Sequence, residues 1–177
     1  MMRKILSMLV ISITLLLISC TDPNPSLLTI ELYPGFDTVE IHTEFTDSGA
    51  LSEYEGIALR DTVISNNVDT SKLGTYTIVY QVTSHGFTKQ ITRKVIVVDQ
   101  TAPTGSLNPG VDTVYVGSIW SDAGVTAIDN SLGTVSITVI GSVNTEIEDE
   151  FVIEYILTDE SGNVTRLFRY VNVIALN

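Results

Sequence analysis

Disulfides, zinc clusters and a nucleic-acid footprint are all out of reach of this 177-residue chain. Its one cysteine excludes an intrachain disulfide and a thiolate zinc site. Two histidines, His42 and His85, are too few for a histidine-rich metal centre. Nine Lys and Arg stand against 21 Asp and Glu, a formal charge of −12. The basic surface that nucleic acid demands is therefore missing, and no nucleic-acid partner is expected. Neither histidine lies near a Ser, Cys or carboxylate in the spacing of a nucleophile–base pair, and no phosphate-binding glycine loop or zincin motif appears. No catalytic residue and no enzymatic activity are expected. Charged residues are only 17% and hydrophobic ones 44%, so the chain can build a core and is not disordered throughout.

What is present begins with an address. Arg3 and Lys4 precede an apolar run from Ile5 to Ile18. At about 14 residues this run is shorter than the ~20 a membrane span needs, but it suits the hydrophobic region of a secretory leader. The run ends in Leu17-Ile18-Ser19-Cys20, which resembles a bacterial lipobox. That resemblance implies cleavage before Cys20 and a diacylglyceryl group on its sulfur. Two or more acyl chains anchor a protein stably, at ~0.8 kcal/mol per buried CH₂. Loss of Arg3 and Lys4 with the leader takes the formal charge from −12 to −14. Thr21 to Ser26 contain two prolines and read as a short extended tether. Thr21, where enteric lipoproteins retained in the inner membrane carry Asp, points to the outer membrane or cell surface.

The remainder is one unit written twice. Pro34-Gly35-Phe36-Asp37-Thr38-Val39 recurs 75 positions later as Pro109-Gly110-Val111-Asp112-Thr113-Val114. The same register aligns Phe45 with Trp120, Asp47 with Asp122, Gly49 with Gly124 and Tyr80 with Tyr155. One further residue in the second copy then aligns Arg93 with Arg169 and Val95 with Val171. Such persistence marks an internal duplication. The chain divides into a leader (1–19), a lipidated tether (20–26) and two domains (27–99 and 100–177). The boundary at Asp99 to Pro103 is too short for independent tumbling. Within each copy the pattern is β: Tyr76, Ile78, Tyr80 and Val82 alternate with polar neighbours, as do Phe151, Ile153, Tyr155 and Leu157. Ser84-His85-Gly86 and Asp159 to Asn163 supply the turns. The expected fold class is all-β, two tandem small antiparallel sandwiches of the immunoglobulin type, each held by apolar packing alone.

Three strings carry a resemblance to a known family: Trp120-Ser121-Asp122-Ala123-Gly124-Val125-Thr126-Ala127-Ile128-Asp129-Asn130, Thr158 to Asn163, and Asp99-Gln100-Thr101-Ala102-Pro103. They resemble the bacterial surface immunoglobulin-like domain. The second copy fits almost throughout, except at Asp149, where the family has Gly. The first diverges at Ser52-Glu53-Tyr54. The resemblance implies cell-surface adhesion, spacer or glycan-associated roles, and does not imply an enzymatic activity.

Other residues stand out. Arg93 and Arg169 fall on the apolar parity of a strand, where a charge needs a partner. A structural ion pair in each copy is expected, with Asp47 and Asp122 as partners. Asp99, Asp129 and Asp159 offer the hard oxygen ligands of calcium, though capping of turns explains Asp at such places and is the preferred reading; no other cofactor is expected. Asp-Thr-Val, repeated at Thr38, Thr62 and Thr113, looks like an O-glycosylation acceptor pattern, but Thr is also a good strand residue. Tyr33, Tyr54, Tyr115 and Tyr170 fall outside the core pattern and could stack on sugars, whereas Trp120 reads as core.

The function expected is that of a non-catalytic, membrane-anchored surface lipoprotein serving adhesion, ligand presentation or an accessory subunit. The alternatives are a carbohydrate-binding accessory protein or a structural spacer. Partners would be the membrane through Cys20 and a glycan or surface protein. Mass spectrometry of the mature protein tests the anchor. The expected N-terminus is Cys20 bearing a diacylglyceryl thioether; cleavage elsewhere or an unmodified Cys20 would exclude it.

Overall fold

A computed structural model describes residues 22–176; the leader and Cys20 lie outside them. The tether's Pro25–Leu27 segment forms a single 3-10 turn, with Asn24 Oδ1 accepting from Ser26 N. Thirteen strands follow among the described residues. The first domain contains β1 (Leu28–Leu32), β2 (Thr38–Glu40), β3 (Ala50–Tyr54), β4 (Ile57–Leu59), β5 (Thr62–Asn66), β6 (Gly74–Ser84) and β7 (Phe87–Val98). The second contains β8 (Thr104–Leu107), β9 (Thr113–Tyr115), β10 (Val125–Ile128), β11 (Ser136–Ile140), β12 (Asp149–Thr158) and β13 (Val164–Ile174).

Each domain is a sandwich of two sheets. In the first, a β1-β3-β4 sheet faces a β2-β7-β6-β5 sheet; in the second, β10-β8 faces β11-β12-β13-β9. The pairing is not wholly antiparallel as expected. β2 runs parallel to β7 and β9 parallel to β13, because the Pro-Gly-containing segment before each carries the chain from one sheet to the edge of the other. The long hairpins follow from sequence. In β6 and β7, Ser84 opposes Phe87 across His85 and Gly86, both at positive φ, as a two-residue hairpin requires. The alternating residues of β6 and β12 supply the buried Ile78, Tyr80 and Val82, and Ile153, Tyr155 and Leu157. Loop residues close the cores: Phe45 and Val68 in the first, Trp120 and Val143 in the second.

Two features were not anticipated. Glu55 and Gly56, both at positive φ, make a second tight hairpin and create β4. Tyr54, expected at the surface, is buried with Leu28 and Val82, and its ring stacks on His85 at 4.1 Å.

Apolar packing is also not the whole of each core. Arg93 is only 2% exposed. Its Nη1 donates to Asp37 at 2.5 Å, and its Nη2 to the carbonyls of Tyr33 (2.6 Å) and Gly49 (3.0 Å). Nε lies 3.3 Å from Asp47, near enough for charge pairing but without a hydrogen bond's alignment. The second domain repeats this arrangement residue for residue. Arg169, equally buried, reaches Asp112 at 2.6 Å, Asp122 at 3.7 Å, and the carbonyls of Asn108 and Gly124. Tyr80 and Tyr155 donate their hydroxyls to Asp47 and Asp122. Burial and the adjacent carboxylate push the Tyr80 phenol up to about 12, and Tyr155 in the same direction. Gly35 and Gly110 must lack a side chain, since a Cβ at Gly110 would stand 2.8 Å from the Arg169 guanidinium. The expected partners Asp47 and Asp122 are therefore present, but Asp37 and Asp112 make the shorter contacts.

Removing a buried guanidinium strands two carboxylates and two loop carbonyls. Arg169→Met should lower unfolding stability by about 3 kcal/mol. Asp112→Asn should cost only about 1 kcal/mol, because Asp112 is half exposed and Asp122 remains. Urea denaturation monitors both; an Arg169→Met variant as stable as the parent would show that the network adds nothing net.

Candidate functional site

Three regions bring together side chains that can bind or couple. The first is the outer face of the second domain's large sheet. On β12 and β13, Val152 opposes Tyr170, Glu154 opposes Phe168, and Ile156 opposes Arg166. Ile140 on β11 extends the Glu154–Phe168 row, and Tyr115 on β9 lies beside Ile174. Tyr115, Ile140, Val152, Phe168 and Tyr170 are exposed. Phe168 and Tyr170 point the same way about 7 Å apart along the strand, and Tyr115 lies one strand over. Arg166 pairs with Glu154 within the face, and Asn172 and Thr113 border it. The aligned face of the first domain is more polar and has no aromatic side chain: Thr77 opposes Lys94, Val79 opposes Thr92, Gln81 opposes Gln90, and Thr75 opposes the exposed Ile96. Of the four tyrosines singled out, Tyr115 and Tyr170 share this face. Tyr33 is exposed elsewhere, and Tyr54 is in the core. Phe168 was missed because its polar counterpart Thr92 gave it no repeat signal.

The second region is the open side of the second domain. Among the described residues that domain has no counterpart of β4. Asp129 accepts from Ser131 N, and Leu132 turns the chain at a φ of 60°, so it proceeds directly to β11. A shallow groove of about 280 Å³ remains, lined by Ile128, Leu132 and Ile137.

The third region is the joint between domains. Glu40, at the end of β2, reaches across it. Its carboxylate accepts from Gln100 N (2.9 Å), Thr101 Oγ1 (2.7 Å) and Asn130 Nδ2 (3.1 Å). Asn163 Nδ2 donates to the Asp99 and Thr101 carbonyls, Ser161 Oγ donates to Asp99, and Pro103 is fully buried. The three calcium candidates meet here. One carboxylate oxygen from each of Asp99, Asp129 and Asp159 lies within 4.8 Å of the others. Each also caps a turn, as Asp99 does for Thr101 N and Asp159 for Asn163 N.

The remaining sequence candidates do not converge. Thr38, Thr62 and Thr113 are exposed on three different strands. Two of the three Asp-Thr-Val strings have a structural reason, since their Asp37 and Asp112 hold the buried arginines. His42 is exposed in a turn, with no nucleophile beside it among the described contacts.

The family profile described as bacterial surface protein, Ig-like domain matches residues 37–97 and 111–173, once in each domain. No curated protein matches the chain. Among solved structures, a lipoprotein from Bacteroides thetaiotaomicron is 17% identical, with 82% of this chain and 80% of that chain covered at a TM-score of 0.37. The fibronectin(III)-like modules of Clostridium thermocellum CbhA are 15% identical, with 84% and 94% covered at a TM-score of 0.36.

The joint gives a pH prediction. Burial alone would raise the Glu40 carboxyl, but hydrogen bonds from Thr101, Gln100 and Asn130 hold it below its ordinary value. The joint's contribution from Glu40 is therefore fully present above about pH 4.3 and is lost as pH falls through Glu40's lower folded value. In an NMR titration the Gln100 amide should shift with that transition, and Glu40→Gln should abolish it. A Gln100 amide whose acid titration is the same in Glu40→Gln as in the parent would show that Glu40 does not tie the domains.

Proposed function

The chain belongs to the bacterial surface immunoglobulin-like family, and we propose that it is a non-catalytic, lipid-anchored surface protein that presents a binding face on its second domain. Cys20 would be the anchor, the first domain the spacer, and the face around Phe168 and Tyr170 the adhesive or accessory surface. The observation that carries this reading is the contrast between duplicates. The same sheet positions hold Thr77, Lys94 and Thr92 in the first domain but Val152, Tyr170 and Phe168 in the second. Exposed aromatic and aliphatic side chains on a sheet bury area well on contact with a partner, and Tyr and Arg are favoured at such contacts. The acidic chain favours solubility and disfavours anionic lipid and nucleic acid as ligands.

One observation favours a glycan as the ligand. Phe168, Tyr170 and Tyr115 are exposed on one sheet face, with Tyr115 beside Ile174 further along β13, and the Glu154–Arg166 pair, Asn172 and Thr113 lie among them. Rings match the apolar faces of sugar rings, and the polar border matches their hydroxyls.

Crosslinking on intact cells and a glycan array test both readings with one variant pair. Phe168→Ala with Tyr170→Ala should weaken capture of the surface partner, or of the array glycan, at least about tenfold, while Lys94→Ala on the first domain leaves it unchanged. Undiminished capture by the double variant would remove the face from the proposal. A glycan-array signal lost in the double variant would select the sugar reading.

A further inference from the structure

We propose that the end of the first domain bearing Leu27, Glu55, Ile57 and His85 is a membrane-contact surface, held against zwitterionic lipid headgroups by a latch between the tether and Tyr54. The proposal rests on the lipid anchor at Cys20 and is separate from the binding face of the second domain.

The tether is fastened to the domain before β1 begins. Asn24 caps the 3-10 turn at Pro25–Leu27, its Oδ1 accepting from Ser26 N at 2.9 Å and from Ser26 Oγ at 2.8 Å. The Asn24 N–H donates to the Tyr54 hydroxyl at 3.2 Å. The Glu55 N–H donates to the Leu27 carbonyl, which carries the pairing of Leu28 with Tyr54 one residue further. Tyr54 is itself fixed, since its ring is buried and stacks on His85 at the tip of the β6–β7 hairpin. Ile57 stands opposite Tyr54 on β4. The tether therefore ends on a rim made of two hairpin turns. On that rim Leu27 is 38% and Ile57 69% exposed, and Glu55, His85 and Gly86 are exposed beside them.

Chain length decides what this rim meets. From Cys20 to Asn24 a fully extended chain spans at most about 14 Å. A diacylglyceryl thioether lies at the edge of the hydrocarbon core, under a headgroup layer about 5–8 Å thick. Asn24 then stands no more than about 9 Å above the headgroups, and nearer whenever the tether is less than fully extended. A gap of that size is thinner than the ~10 Å spacing of two packed sheets, so it excludes another folded domain and leaves the lipid surface as the occupant. The chemistry of the rim agrees. Exposed Leu27 and Ile57 beside polar groups suit the boundary between headgroup and acyl chain. Asp22 and Glu55 are acidic, and the segments 21–28, 54–57 and 84–87 contain no Lys or Arg. Such a rim matches the ammonium groups of zwitterionic lipids and is repelled by anionic ones. β7 runs from Phe87 on the rim to Val98 at the joint. Twelve strand residues cover about 36–40 Å, so this orientation lifts the joint that far above the lipid and turns the second domain outward.

The test uses residues 20–177 with the one thiol alkylated by a diacylglyceryl halide, inserted into phosphatidylcholine nanodiscs containing a gadolinium-chelating lipid. Chemical attachment makes the outcome independent of whether cells lipidate Cys20, which mass spectrometry of the mature protein decides separately. The NMR amide signals of Gly56 and Gly86 should relax several-fold faster than those of Gly117 and Gly162 in the second domain. Tyr54→Phe keeps the buried ring and removes the acceptor for Asn24, so the nearest fixed point becomes Leu27. The tether's reach then grows to about 24 Å, and the contrast between the two glycine pairs should fall at least about twofold. Equal relaxation of all four glycines, or fastest relaxation at Gly117, would overturn the proposal. Full contrast retained in a folded Tyr54→Phe variant would overturn it too, because the latch would then not set the orientation.

Discussion

A guanidinium buried between two small sheets is the constraint around which each domain is arranged. Arg93 and Arg169 are among the largest fully buried side chains, larger than most of the apolar residues beside them. A buried charge is costly alone, so everything near it has to answer it. The Pro-Gly segment brings Asp37 or Asp112 to one side, the turn at Asp47 or Asp122 brings a second carboxylate, and loop carbonyls take the remaining donors. Lysine could not substitute. Its single ammonium group cannot hold a carboxylate and two carbonyls in the forked geometry that a planar five-donor group allows. The same contacts dictate the parallel edge. Asp37 and Asp112 immediately precede β2 and β9, so fixing the carboxylate on Arg93 or Arg169 also places the next strand against β7 or β13.

Duplication froze that interior and left the exterior free. Arginine, both carboxylates, the tyrosine donor and the close-approach glycine are kept in both copies. Outside the core the copies part. One keeps the Glu55–Gly56 hairpin and β4; the other replaces it with the Asp129–Leu132 turn and leaves an open flank. One sheet face carries Thr, Gln and Lys with Val79 and Ile96; the other carries Phe168, Tyr170, Val152 and Ile156 with the Glu154–Arg166 pair. A residue inside the network contacts several others at once, so its substitution is felt by all of them. A residue on the outer face contacts few, and can change without cost to the fold. Divergence is therefore expected where a new ligand could be met.

Much of this was legible in sequence, for identifiable reasons. A two-residue period located β6, β7, β12 and β13, because long half-buried strands write their burial pattern plainly. The duplication doubled each signal, and the parity of Arg93 and Arg169 revealed a charge facing inward. Asp99, Asp129 and Asp159 stood out by residue type, with turn capping as the preferred reading, and each does cap a turn. Other features were not legible. Asp37 and Asp112 sit before strands, where no parity applies, so the nearer carboxylates escaped, although their repetition inside a Pro-Gly-x-Asp string was a signal. Tyr54 looked like a surface residue because β4, the strand that helps cover it, is only three residues long and has no period to read. The face around Phe168 could not be read either. It depends on which residues of neighbouring strands stand opposite each other, and register is a tertiary property.

The joint follows a different logic from the interiors it connects. Two domains that bury apolar surface against each other are fixed under all conditions in which they are folded. Here, apart from Pro103, the cross-joint contacts are carboxylates and amides: Glu40 with Gln100, Thr101 and Asn130, and Asp99 with Ser161 and Asn163. Such contacts exchange readily with water and depend on the charge state of the acids. Both acids lie at strand ends, Glu40 closing β2 and Asp99 following β7, which are neighbours in one sheet. Each domain's interior charges are ion-paired; the acids of the connection, Glu40 and Asp99, are held by hydrogen bonds from neutral groups instead.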